Sequence, residues 1–88
     1  MKYFVEFRPA VLKSMKQLPM KDLRRIKKKI DELAENLPNP FTTKMKGNNP
    51  FYKVRSGDYR IIYEIHDDRL VILVVKVGHR KDVYKRLR

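Results

Sequence analysis

The chain has 88 residues, enough for one domain spanning 1–88 with a modest core. It has no cysteine, which excludes disulfide stapling, cysteine nucleophiles and thiolate metal sites, and its two histidines are too few for a zinc site without thiolates. A net charge of +12 costs stability through self-repulsion and attracts anions: nucleic acid first, an acidic protein second, a membrane surface a distant third. The opening MKYFVEFRP meets Glu6 before a signal-peptide core could form, and the longest aliphatic run, Leu70 to Val75, is far too short to span a bilayer. A cytoplasmic protein with no membrane partner is expected.

Lys2 to Phe7 reads as a short strand, with Tyr3, Val5 and Phe7 alternating with Phe4 and Glu6. Aromatic residues on both sides predict cover on at least part of both faces. Arg8-Pro9 ends the strand, and Pro9 suits the first turn of a helix over Ala10 to Leu18. Pro19 closes that helix. Lys21 to Leu37 carries Leu23, Ile26, Ile30, Leu33 and Leu37 at helical spacing, an amphipathic helix with Asp22 in its first turn and Pro38-Asn39-Pro40 as its stop. The two helices should form a hairpin over one face of a sheet.

Phe41 to Asn49 reads as extended and polar, and Gly47-Asn48-Asn49-Pro50 is a turn cluster. Phe51 to Tyr63 reads as two strands joined at Ser56-Gly57-Asp58. Asp67-Asp68 turns the chain again, and Arg69 to Val77 is aliphatic on both faces, as a central strand should be. His79 to Arg88 is basic, with one or two helical turns expected. The order predicts an α+β domain: an antiparallel sheet of about four strands, including the N-terminal one, with the helical hairpin on one face.

Period-two alternation puts Lys53 and Arg55 on one face of the first paired strand, and Arg60 and Ile62 on one face of the second. Pairing the apolar sets over a core gathers Lys53, Arg55 and Arg60 on the open face, with only Asp58 nearby to offset them. Such a cluster suits a polyanion, although an antiparallel sheet face can also simply keep its charges solvated. Lys44 and Lys46 precede the cluster, and Arg80 follows the last strand. The run Arg24-Arg25 and Lys27-Lys28-Lys29 reads first as the solvated face of the long helix, with phosphate contact as the second reading. Glu64, on the Arg60 face by parity, reads as an ion-pair partner.

If the polyanion is RNA, strand cleavage needs no cofactor, because a 2′-hydroxyl can attack the adjacent phosphate in line. It does need a base at that hydroxyl, an acid at the leaving 5′-oxygen and cations around the phosphate. Lysine serves as a base where neighbouring cations loosen its proton, and Lys53 stands beside Arg55 and Arg60. Histidine titrates near neutrality, so His79 is a candidate acid or base, or a loop histidine. Tyr84 either stacks on a base or packs the tail.

The N-terminal FVEF, the helical hairpin, the block KMKGNNPFYKVRSGDYRIIY and the ending VGHRKDVY resemble the RelE/ParE superfamily of bacterial and archaeal toxins, the RelE branch most closely. The resemblance covers essentially the whole chain. It implies a metal-independent endoribonuclease that cuts mRNA in the ribosomal decoding site. Its partners would be the ribosome, mRNA and a small RelB-like antitoxin whose complex can bind operator DNA. By that resemblance Lys53 is the general base, Arg55 assists it and binds phosphate, and Arg60 stabilises the transition state. Arg80 carries the leaving-group side, Lys46 contacts phosphate, and Tyr84 matches a tyrosine that stacks near the scissile base. Arg55 replaces the lysine of the best-known RelE pattern, and the gap from Arg80 to Tyr84 is shorter than in that pattern. His79 stands where other branches keep a histidine nearby, so acid catalysis could be shared with it or shifted to it. A second reading is a ParE-like inhibitor of DNA gyrase without catalysis, on the same fold. The third, a plain RNA-binding module, lacks a GXXG clamp or an RNP-type aromatic strand.

Overall fold

A computed structural model describes residues 2–36 and 43–79 of the chain. The elements run β1 (Phe4–Phe7), α1 (Pro9–Met15), α2 (Met20–Glu35), β2 (Thr43–Lys44), β3 (Phe51–Ser56), β4 (Tyr59–His66) and β5 (Val71–His79). The strands form one five-stranded sheet in the order β1-β5-β4-β3-β2. The α+β class is as expected, but the sheet is mixed: β1 lies parallel to β5, with Phe4 opposite Val71, while the remaining neighbours are antiparallel. The helical hairpin is the reason. It carries the chain away from β1 as a crossover, and parallel pairing requires one. Strand β2 is two residues long, too short to leave a periodic signal.

Helix α1 starts at Pro9 behind an extended Arg8 and ends at Met15. The predicted last turn tightens instead, with bonds from the Gln17 amide to the Ser14 carbonyl and from the Leu18 amide to the Met15 carbonyl, both 3.1 Å. Helix α2 buries Ile26, Ile30, Leu33 and Ala34 along one stripe. The predicted end at Leu37 and the Pro38-Asn39-Pro40 stop lie outside the described residues. The helices meet the sheet over one core of Val11, Met15, Ile26, Ile30, Leu33, Val54, Ile61, Tyr63, Ile72, Val74 and Val77. Tyr3, Val5 and Phe7 pack against that core, but Phe4 is 71% exposed, so β1 is covered on one face rather than both. Among the described residues no helix is long and apolar enough to cross a membrane.

The face away from the helices is not purely polar. Ile62 and Val75 are buried there in a small second cluster with Met45, Phe51 and Leu73. Beside this cluster β5 carries a bulge. Ile62 pairs with Lys76 and Tyr63 with Val74, leaving Val75 unpaired between them. A bulge of this kind turns two consecutive side chains to one side and reverses the alternation beyond it. Val77 therefore joins the main core, and Lys76 faces away from the helices beside Ile62.

Candidate nucleic-acid interface

Strands β3 and β4 position the basic cluster. Their hairpin closes on Gly57-Asp58, with Gly57 at φ 61. Positive φ at the first central residue alone is the two-residue turn that suits strand twist, and glycine adopts it without strain. The turn fixes the register: Lys53 faces Ile62 and Arg55 faces Arg60. Directly opposed residues share a face, so Lys53, Arg55 and Arg60 lie together on the side away from the helices, as alternation predicts. Arg55 is exposed, while Lys53 and Arg60 are half-buried.

Opposing two like charges is unfavourable in a sheet. Arg55 and Arg60 are nevertheless paired, and neither makes an ion pair with an acid among the described residues. Glu64 lies on the same face, yet it binds Arg8 at 3.3 Å and the ring of His66 at 3.0 Å. The expected ion-pair role of Glu64 holds, with Arg8 and His66 as its partners. Asp58 of the turn is one carboxylate against three cations, so the β3–β4 cluster keeps a net positive field, and field lines from such a patch draw in phosphate.

Other expected site residues are placed differently. Lys44 faces Tyr52 across the β2–β3 ladder, on the other side from Lys53, with its ammonium 5.4 Å from the Tyr52 ring centre. It also donates to the Asn49 carbonyl, so it pins the loop before β3. Lys46 is exposed in that loop, where its carbonyl accepts a bond from the Asn49 side chain. His79 faces Tyr59 at the end of β5, the rings meeting edge to face at 6.0 Å between centres. Tyr59 packs on the main core, so the bulge-reversed alternation puts His79 on the helix side, away from Arg60. Burial and the Asp22 carboxylate push the Tyr59 hydroxyl up, and Asp22, Tyr59 and His79 border a shallow cavity of about 280 Å³. Arg80 and Tyr84 lie outside the described residues.

Two features of the site are not legible in strict alternation. Lys76 shares the face of Lys53 and Ile62 because of the bulge; its only sequence signal is a lone lysine inside the run Arg69 to Val77. The second feature is a hollow of about 400 Å³ bordered by Arg25 and Lys28 of α2 and by Arg55 and Gly57 of the hairpin. The basic run of α2 therefore abuts the cluster around the β3–β4 turn.

The family follows from comparison with known proteins. A model described as ParE toxin of type II toxin-antitoxin system, parDE, matches residues 5–84. The chain belongs to the RelE/ParE toxin superfamily. Its RelE-branch relatives include RelE1 of Methanocaldococcus jannaschii, 37% identical over 89 residues that cover 97% of this chain and 98% of that one. The mRNA interferase toxin RelE of Escherichia coli K12 is 34% identical over 83 residues, covering 92% and 86% of the two chains. Among solved structures, the archaeal RelE–RelB complex of Pyrococcus horikoshii OT3 superposes with a TM-score of 0.77 at 31% identity, over 94% of this chain and all of that one. The helical hairpin on a mixed sheet is thus the RelE architecture, and the cluster stands on its two central-hairpin strands.

Proposed function

We propose that this chain is the toxin of a type II toxin–antitoxin pair and cuts mRNA held in the ribosomal decoding site. The observation that carries the reading is the Arg55–Arg60 pairing beside Lys53, a cationic sheet face whose arginines make no ion pair with an acid among the described residues. In the reaction Lys53 takes the proton of a 2′-hydroxyl, and that oxygen attacks the adjacent phosphorus. Arg55 and Arg60 hold the phosphate as negative charge builds on it, the step where fixed cations contribute most. The 5′-oxygen leaves with a proton from the Arg80 side, giving a 2′,3′-cyclic phosphate and a free 5′-hydroxyl. Lys46 adds a phosphate contact and Tyr84 stacks on a base. Lys44 and His79, on the other face, support the loop before β3 and the end of β5. The unit is 1–88, it works in the cytoplasm where ribosomes are, and a small RelB-like antitoxin neutralises it, the pair binding operator DNA.

Purified protein added to ribosomes programmed with mRNA should produce cuts at the decoding site, mapped by primer extension. Lys53→Ala and Arg60→Ala should each lower the rate by about 10² to 10³, the scale of losing a base or a charge-stabilising group, with the melting temperature unchanged. No cuts, or inhibition of gyrase supercoiling in their place, overturns the reading.

A further inference from the structure

We infer that Lys76 is a further phosphate contact of the same site, binding the mRNA backbone next to the scissile phosphate. This rests on the mRNA-cutting reading above. The register sets Lys53, Ile62 and Lys76 in one row across β3, β4 and β5, and Arg55, Arg60 and Gly78 in the next. Lys53 and Lys76 thus stand on either side of β4, about 10 Å apart at the backbone, two strand spacings. Ile62 lies buried between them and Arg60 projects from the neighbouring row. A span of that width exceeds one phosphate group, so the two lysines serve consecutive positions along a strand of RNA rather than the same oxygen atoms.

Three observations favour a ligand over a merely solvated lysine. Lys76 is half-buried in a strand whose other residues up to Val77 are aliphatic. It makes no ion pair among the described residues, though Glu64 lies on the same face and is taken by Arg8 and His66. The bulge at Val75 is what turns it outward; if Val75 instead paired with Ile62 in a regular ladder, alternation would carry Lys76 into the core opposite Ile61.

A contact to a phosphate that does not react is made equally in ground and transition states, so it acts on KM rather than kcat. Cleavage kinetics on programmed ribosomes should show Lys76→Gln and Lys76→Met raising KM about 5-fold at 0.1 M salt with kcat unchanged, and Lys76→Arg restoring the parent value. That size follows from a salt slope of about 0.7 per phosphate neutralised on a single strand. In parallel, anisotropy with an uncleavable 2′-O-methyl RNA oligonucleotide should show the slope of log affinity against log salt falling by ~0.7 in the Gln and Met variants. The Met variant keeps the apolar stem, so parent-like KM and slope in both variants would reduce Lys76 to packing and overturn the inference. A fall in kcat at constant KM would also overturn it, by placing the lysine at the reacting atoms. Lys53→Ala, measured alongside, judges the cutting reading separately. The oligonucleotide arm requires no cleavage and judges Lys76 whatever that control shows.

Discussion

Arg55 and Arg60 face each other across the ladder with no acid between them. Like charges so placed cost roughly 0.2–1 kcal/mol. Arg55→Thr should therefore raise stability by about that amount while lowering cleavage; denaturant midpoint and ribosome assay together check it, and lost stability would mean that Arg55 is held by the fold. Tyr63 poses a different residue-level problem. It is fully buried and stacks on Tyr52 at 5.9 Å, yet its hydroxyl has no hydrogen-bond partner among the described residues. An unmade bond at a buried polar atom costs about 1–3 kcal/mol, so Tyr63→Phe should be neutral or stabilising by about 1 kcal/mol in urea unfolding. Burial also pushes the Tyr63 hydroxyl well above its ordinary value. A group whose folded value is raised contributes stability that is intact below the unfolded value, about 10, and lost as pH climbs through the folded one. Melting temperature should hold up to pH ~10 and fall above it, less steeply in Tyr63→Phe.

At the scale of elements, the β3–β4 hairpin sets the site. Gly57 holds φ 61 with nothing within 4 Å of the position a Cβ would take, so Gly57→Ala meets backbone strain and no clash. Its cost should be about 1 kcal/mol in thermal melts, and a neutral result would show that the turn can change type. The sequence made this hairpin and both helices legible, because Leu23, Ile26, Ile30 and Leu33 repeat at 3.6 and Phe51 to Tyr63 alternates at two. It also gave the face shared by Lys53, Arg55 and Arg60. What it hid has local causes. The parallel pairing of β1 with β5 joins residues about as far apart in sequence as this chain allows, and periodicity carries no information on such pairing. The bulge at Val75 reverses alternation partway along a run that is aliphatic on both sides, so His79 and Lys76 each face opposite to what counting by twos from Ile72 gives.

At the scale of the whole molecule, the +12 charge has two opposed effects. Self-repulsion lowers stability, and mobile ions screen it over a Debye length near 10 Å at 0.1 M salt. The same ions compete for phosphate. Raising salt from about 0.05 to 0.2 M should therefore raise the melting temperature while weakening affinity for single-stranded RNA several-fold or more. A melting temperature that falls with salt would mean that pairs such as Arg8–Glu64 and Arg69–Glu6 outweigh the repulsion.

The unpaired Val75 gives β5 one spare codon. Removing it would set Lys76 directly after Val74 in an unbroken ladder, still opposite Ile62, and every neighbouring side chain would keep its side. Losing Val77 instead has no such slack: Gly78 would slide opposite Ile61, and the histidine would leave its tyrosine for the other surface. Single-codon deletions should therefore be harmless to the strand at one position and ruinous two positions further on.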